Sequence, residues 1–326
     1  MNGGIGKIEM FKKTNILALV GGGKNPRFSP KKIIIWDDHH ANIIGTLVFN
    51  KEVLNVRMRN DKIFGVLEDK IYIFNLNTLE TIKLLETFKN PTGIIAMSSG
   101  EFDKLMIAYP MEYQGFVNFR DCFDSKTIRN SKTIKAHESR IAFLAINKNG
   151  TLLATSSDTG TLIRLFNISN GENISVFRRG INSVSMVCLT FSPNNIFVGC
   201  ISDVGTIHIF SIFDINKKLN EQSQNDQMKN EIKNQIKKER ENEIKNEPRN
   251  RKSILGKIGE LFNIQDHDRN FAKFKIQDEY GLLCFGKDNT IVVITKEGKY
   301  IKAAYDPKNG GNCQNIEEKN FFNDEP

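Results

Sequence analysis

Short apolar segments recur along the whole chain and are separated by Gly, Asn, Asp and Ser. Typical examples are 15–20 (NILALV), 62–67 (KIFGVL) and 141–146 (IAFLAI), which are rich in Ile, Val and Phe. Segments of this length and composition, bounded by turn-forming residues, favour β-strands over helices. The pattern therefore predicts an all-β protein.

One of these segments recurs at a spacing of 45 residues. Residues 157–166 (SDTGTLIRLF) match residues 202–210 (SDVGTIHIF), with Thr161 at the place of Thr206. A period of about 40–45 residues with four strands per unit is typical of the blades of a WD40-type β-propeller. The chain is predicted to supply about six blades, the first without its opening strand, at 14–50, 53–90, 93–136, 141–180, 184–275 and 280–322.

Residues 216–252 interrupt the pattern. They carry eleven Lys and Arg against seven Asp and Glu and few large apolar side chains, a composition that cannot bury enough surface to fold. We predict one propeller formed by 1–215 and 271–326, with a mobile basic loop at 216–270. Near its end the loop places apolar residues on one face of a short helix, which either enters a membrane interface or packs on the propeller: Ile254, Leu255, Ile258, Leu261 and Phe262.

The charge and the cysteines narrow the class of protein. The 326 residues carry a formal net charge of +8, which favours an anionic partner without identifying it. Five cysteines without C-x-x-C spacing indicate reduced thiols in a cytosolic protein. The chain has neither a signal-peptide apolar region nor the ~18 consecutive apolar residues of a membrane-spanning helix, so membrane contact is predicted to be peripheral.

Two adjacent arginines, Arg178 and Arg179, lie at the end of a predicted strand in the segment FRRG. Successive side chains on a strand point to opposite faces, so the pair is expected to serve two pockets, one on each side. The guanidinium fork matches phosphate oxygens better than an ammonium does. The flanking blades offer hydroxyl, imidazole and basic groups suited to a phosphate: His137, Thr155, Ser157, Gly160, Thr161 and Arg164 before the pair, and Ser202, Thr206 and His208 after it.

Three other features suggest different functions. The segment 21–24 (GGGK) lacks the spacing of a phosphate loop and the Ser or Thr after its Lys, so a propeller turn is favoured. The run 37–40 (DDHH) places four neighbours on one short segment, which rarely converge on one metal ion. The basic run has charges of both signs and no aromatic residues for base stacking, which disfavours nucleic acid. We therefore predict no enzyme, no cofactor, no metal site and no nucleic-acid partner.

The segment 149–210, which contains FRRG, resembles the central part of the PROPPIN propellers, a family of phosphoinositide-binding WD-repeat proteins. The resemblance extends to 17–38, 135–147 and 271–276 (FAKFKI), and the first of these is most similar to the WIPI-3/WIPI-4 branch. Family members have seven blades and carry a further stretch ahead of the segment that matches GGIGKIEM. The resemblance thus implies that the N-terminal blade is lacking here and that the basic loop belongs to the sixth blade of the family.

The resemblance also implies a function. It predicts a monomeric, cytoplasmic effector that binds peripherally to membranes containing phosphatidylinositol 3-phosphate, at the isolation membrane, endosome or vacuole. Its partners would be an autophagy lipid-transfer protein or other trafficking proteins. A WD-repeat interaction scaffold without lipid binding is the alternative. Phosphatidylinositol 3-phosphate and phosphatidylinositol 3,5-bisphosphate would occupy two rim pockets, the first with His137, Thr155, Ser157, Gly160, Thr161, Arg164 and Arg178 and the second with Arg179, Ser202, Thr206 and His208.

Overall fold

A computed structural model describes most of the chain as β-structure. The described residues are 3–87, 89–99, 105–111, 113–122, 131–212, 270–277 and 281–321. They form strands and turns but no helix, which confirms the predicted all-β class. Within these ranges, no helix has the length and apolar character needed to cross a membrane.

The first twelve strands form three four-stranded antiparallel sheets, blades 1 to 3. Within each blade the strands lie side by side in chain order. Their bounds are β1 (Ile5–Met10), β2 (Ile16–Gly21), β3 (Lys32–Asp37) and β4 (Asn42–Val48); β5 (Asn55–Arg59), β6 (Lys62–Val66), β7 (Lys70–Asn75) and β8 (Thr81–Glu86); and β9 (Ala96–Met97), β10 (Met106–Pro110), β11 (Phe116–Asp121) and β12 (Lys132–Lys135).

Blades 4 to 6 are built in the same way from the remaining strands. A short parallel strand, β24 (Gly311–Asn312), adds a fifth member to blade 5 by pairing with β20. The bounds are β13 (Ile141–Ile146), β14 (Leu152–Ser157), β15 (Leu162–Asn167) and β16 (Asn173–Arg178); β17 (Met186–Phe191), β18 (Phe197–Ser202), β19 (Thr206–Ser211) and β20 (Ala272–Lys275); and β21 (Gly281–Phe285), β22 (Thr290–Thr295), β23 (Lys299–Ala304) and β25 (Gln314–Asn320).

The six blades surround a central cavity. Its volume is about 690 Å³, and its wall includes residues from the first strand of every blade. Radial repetition of four-stranded sheets around a channel defines a β-propeller. The structure therefore confirms the propeller prediction and the count of six blades.

The hydrophobic core lies between neighbouring blades. Five clusters of buried side chains each join two consecutive blades, from blades 1 and 2 to blades 5 and 6. Strands β14 and β18 are buried along their whole length because both of their faces are covered. Burial of both faces explains why their sequences, LLATSS and FVGCIS, show no alternation of apolar and polar residues. In the junction of blades 4 and 5 the rings of Phe177 and Phe210 stack with centroids 5.0 Å apart.

The first blade corrects one expectation. It was predicted to lack its opening strand, but β1 pairs with β2 and completes four strands. The strand was missed because Gly6, Lys7 and Glu9 interrupt its apolar residues and most of its side chains are exposed or half-buried. A strand whose side chains are mostly exposed or half-buried has no continuous apolar run in the sequence.

The predicted interruption falls inside blade 5. Strands β19 and β20 pair directly although some sixty residues separate them in the chain. Residues 213–269 lie outside the described part of the structure, and with them most of the predicted basic loop. The five residues predicted for membrane insertion are also outside it: Ile254, Leu255, Ile258, Leu261 and Phe262.

Candidate functional site

Strand β16 separates the two arginines onto different junctions of the propeller. Phe177 is fully buried and belongs to the cluster shared by blades 4 and 5. Arg178 pairs with Leu162 and therefore shares the face of Leu162 and Arg164, which turns toward blade 3. Arg179 follows directly and lies beside blade 5, close enough to influence Cys200 and Asp203 electrostatically. The structure thus places the arginines in the alternating arrangement expected from the sequence.

The first candidate site lies between blades 3 and 4 and is held by a chain of hydrogen bonds. Nη1 of Arg164 donates to the carbonyl of Ala136 at 2.6 Å and to Nδ1 of His137 at 3.4 Å. Because a guanidinium can only donate, Nδ1 accepts and the opposite nitrogen, Nε2, donates to the hydroxyl of Thr155 at 2.9 Å. That hydroxyl donates to the carbonyl of Arg164 at 3.4 Å. Three of the predicted residues are therefore in direct contact.

His137 is neutral at physiological pH. Burial lowers its pKa to about 4, and the positive charge of Arg164 acts in the same direction. The imidazole is only 4% exposed. A phosphate placed beside it would face the charges of Arg164 and Arg178, while the imidazole, hydrogen-bonded at both nitrogens, would keep Arg164 and Thr155 in position. The side chain of Arg178 is exposed and makes no hydrogen bond or ion pair with another described residue.

A tight turn joins β14 to β15 and carries further residues predicted for this site. The hydroxyls of Ser157 and Thr159 lie 2.9 Å apart, and Gly160 adopts a φ of +62°. An added Cβ at Gly160 would lie 2.2 Å from the carbonyl oxygen of Val184, so both conformation and space require glycine. Thr161 lies just before β15, and its carbonyl accepts a hydrogen bond from the backbone N–H of Arg179 at 2.9 Å.

The second candidate site lies between blades 4 and 5. Arg179 is half-buried and turns back onto blade 4: its Nε donates to the carbonyl of Gly160 at 2.8 Å and its Nη2 donates to the carbonyl of Asn182. It was predicted only as a phosphate ligand, but it also holds the turn that follows FRRG. The guanidinium therefore reaches the second site in a fixed position.

Buried polar atoms without partners face this junction. The hydroxyl of Ser202 and Nδ1 of His208 are buried, and neither has a hydrogen bond partner in the described residues. Cys200 pairs with His208 in the sheet register, so Ser202, two residues further along β18, lies on the same face as the imidazole. A buried polar atom without a hydrogen bond is costly, so a polar group that bonded to it would be stabilised there. The arrangement suits an anion with hydroxyl or phosphate groups.

Two lysines complete the second site and were not predicted. On β20, Lys273 pairs with His208 and Lys275 pairs with Thr206. Nζ of Lys275 donates to the carbonyl of Val204 and fixes the turn between β18 and β19. The alternation in FAKFKI, with Lys at every second position, could have revealed that both face the same side.

His208 resembles His137 in its protonation. Burial lowers its pKa to about 4, with further lowering by the positive charges of Arg179 and Lys273. Two cations, Arg179 and Lys273, therefore act on a neutral imidazole that shares its face of the sheet with the unpaired hydroxyl of Ser202. A bound phosphate would be stabilised by charge-assisted hydrogen bonds from the arginine and by the nearby ammonium groups.

Two other segments weighed in the sequence, 21–24 and 37–40, lie in blade 1. Asp37 binds its own turn, with Oδ2 2.7 Å from Nδ1 of His40. Across the described part of the chain, no group of three or more His, Cys, Asp or Glu is arranged to hold a metal ion. The segment 21–24 follows β2 and forms a loop whose glycines approach the first strand of the blade.

Comparison with known proteins gives consistent results. The family model described as PROPPIN matches residues 19–229. Autophagy-related protein 18e of Arabidopsis thaliana is 28% identical over 316 residues, which cover 96% of this chain and 76% of that protein. SVP1-like protein 2 of Schizosaccharomyces pombe is 34% identical over 212 residues, which cover 65% of this chain and 57% of that protein.

Two solved structures show the same fold. Kluyveromyces lactis Hsv2 superposes with a TM-score of 0.70 at 20% identity, covering 97% of this chain and 86% of that one. The complex of KlAtg21 with the coiled coil of AgAtg16 gives a TM-score of 0.70 at 19% identity, covering 97% of this chain and 84% of that one.

Proposed function

The chain belongs to the PROPPIN family, and from this premise we propose that it binds phosphoinositides in membranes through the two sites that flank FRRG. The ligands proposed are phosphatidylinositol 3-phosphate and phosphatidylinositol 3,5-bisphosphate. The observation that carries the proposal is the division of Arg178 and Arg179 between two junctions, each of which already contains a buried neutral histidine.

The cationic side chains favour an anionic ligand at both junctions. Arg164 and Arg178 share one face of blade 4, and Arg179 and Lys273 lie near His208. Charge-assisted hydrogen bonds from these groups suit a phosphate monoester. Two modest sites on one rigid rim also give avidity on a membrane, because the second headgroup is bound without a further loss of translational freedom.

The biological role proposed is recruitment of autophagy or related trafficking machinery to such membranes. The names of the relatives support it, since one is an autophagy-related protein. A structural neighbour is bound to the coiled coil of AgAtg16, which supports a role as a scaffold with protein partners. Peripheral attachment to a phosphatidylinositol 3-phosphate membrane as a monomer is part of the same proposal.

Liposome flotation with and without phosphatidylinositol 3-phosphate tests the lipid-binding proposal. We expect the wild type to float only with the lipid, and Arg178→Thr/Arg179→Thr to lose about 10-fold or more of its affinity, since each charged hydrogen bond contributes about 1.5–3 kcal/mol. A matched control is Lys31→Thr/Lys32→Thr, which removes the same charge from exposed positions of blade 1 and should float normally.

Circular dichroism should accompany the flotation assay because Arg179 also holds a turn. Folded wild type that ignores the lipid would overturn the proposal in favour of a scaffold without lipid binding. Equal flotation of the double variant and the wild type would show that the two sites are not the anchor.

A further inference from the structure

Two apolar side chains stand exposed at the end of the propeller that carries both candidate sites. Ile181 follows FRRG directly and is 86% exposed, the highest value among the large apolar side chains of the described residues. Val204, in the turn between β18 and β19, is 47% exposed. Neither can contribute much to folding through burial.

The turn that carries Ile181 is fixed to the neighbouring turn of blade 4. Arg179 donates to the carbonyl of Gly160 in that neighbouring turn and to the carbonyl of Asn182 in its own turn. The hydroxyl of Ser183 and the backbone N–H of Val184 both donate to the carbonyl of Thr159, at 3.1 and 3.2 Å. The isoleucine is therefore presented outward by a bonded turn.

Val204 lies on the adjoining turn. The backbone N–H of Asp203 donates to the carbonyl of Ser185 at 2.9 Å, which joins this turn to the segment after FRRG. Lys275 donates to the carbonyl of Val204 from the other side. The two exposed apolar residues thus lie on contiguous turns around the second site.

The internal repeat shows that the apolar residue is not required by the turn. In blade 4 the position of Val204 is occupied by Thr159, whose hydroxyl lies 2.9 Å from that of Ser157. Threonine has the same shape as valine, and a hydroxyl in water would cost nothing at an exposed site. The two turns therefore differ in having valine at 204 where blade 4 has threonine. Val204 lies next to Lys275, whose Nζ bonds its carbonyl beside the second candidate site.

We propose that Ile181 and Val204 form an apolar contact that enters the interfacial layer of a lipid bilayer while the two sites hold headgroups. The charges at this end of the propeller favour an anionic surface, since Arg178, Arg179 and Lys273 are all close to it. Apolar side chains beside basic ones are typical of segments that lie in a membrane interface. This inference rests on the proposed function and adds a hydrophobic component to it.

The test compares the affinity of the protein for a membrane with its affinity for an isolated headgroup. Ile181→Thr/Val204→Thr keeps the branched shape and the charges but removes the apolar surface. We expect its affinity for vesicles of phosphatidylcholine with phosphatidylinositol 3-phosphate to fall about 10-fold, as loss of two partly buried aliphatic side chains implies, and its affinity for soluble inositol 1,3-bisphosphate to stay unchanged. Ile43→Thr/Val48→Thr makes the same exchange at exposed positions of β4 and should leave both affinities unchanged.

A second measurement reports directly whether the side chain at position 181 enters the bilayer. The chain has one tryptophan, Trp36, so Ile181→Trp in a Trp36→Phe background gives a single fluorophore. Brominated acyl chains should quench its emission, and vesicle affinity should rise about 5-fold or more because tryptophan favours the interface.

The outcomes separate the two proposals. If the wild type binds both probes and Ile181→Thr/Val204→Thr binds vesicles within twofold of it, the apolar contact is refuted and headgroup binding stands. If brominated lipids do not quench the emission of the tryptophan placed at position 181, the apolar contact is likewise refuted and headgroup binding stands. Wild type that binds neither probe overturns the proposed function and this inference together.

Discussion

The two buried histidines predict a loss of stability under mildly acidic conditions. His137 and His208 have pKa values of about 4 in the folded chain, mainly because of burial, against about 6.5 when unfolded. A pKa lowered by folding means that the unfolded chain binds more protons between these two values. The histidines therefore do not oppose folding above pH 6.5, and stability falls as the pH drops from 6.5 toward 4.

The size of the effect follows from the same two values. Between pH 7.5 and 5.5 each histidine should lower the free energy of unfolding by about 1.3 kcal/mol, and the pair by about 2.5 kcal/mol. The full loss, reached below pH 4, is about 3.4 kcal/mol for each group. Both side chains are less than one tenth exposed, so solvent screening should not reduce these figures greatly.

Urea denaturation at the two pH values, followed by circular dichroism at constant ionic strength, measures the loss. His137→Gln/His208→Gln keeps polar groups at both positions but cannot gain the charge, so its free energy of unfolding should lack the drop of about 2.5 kcal/mol. His39→Gln/His40→Gln alters an exposed turn and should keep the drop. If the buried double variant loses as much stability as the wild type, other groups are responsible and the reasoning is refuted.

Two further predictions concern the turns around FRRG. Gly160→Ala should lower the free energy of unfolding by about 1–3 kcal/mol, measured by urea denaturation, because its φ is +62° and the new Cβ would meet the Val184 carbonyl. Gly180→Ala, where nothing lies within 4 Å of an added Cβ, should be nearly neutral. Arg179→Ala should lower both the melting temperature and vesicle affinity, whereas Arg178→Ala should lower affinity alone. Equal melting temperatures for the two arginine variants would contradict the bonding role of Arg179.

The sequence allowed much of the fold to be predicted because the relevant signals are local. Strands β14 and β18 show no alternation of apolar and polar residues, since both faces of each strand are buried. The period of the repeat and the turn residues then predict blades. Strand β1 was missed because its side chains are mostly exposed or half-buried, so no local apolar signal marks it.

The candidate sites were predicted in part. Alternation along a strand is enough to predict opposite sides for Arg178 and Arg179. In the structure Arg178 shares the face of Arg164, and Arg179, just past β16, lies beside blade 5. The repeat, however, aligned Thr161 with Thr206, whereas β15 begins only at Leu162 and β19 begins at Thr206. A shift of one residue along a strand moves a side chain to the opposite face of the sheet. Only the strand register shows that Thr206 lies in a strand while Thr161 precedes one.

The sequence alone determined the all-β class and the repeated blades, and it predicted that Arg178 and Arg179 serve different sides of a strand end. Tertiary structure decided which groups meet: Arg164 with His137, Arg179 with the Gly160 carbonyl, and Lys273 with His208. These residues are distant in the chain or lie on different blades, and their contacts depend on how the sheets pack around the channel. Local pattern specifies the strands, but the distances, burial and charge of a site arise only where separate blades meet.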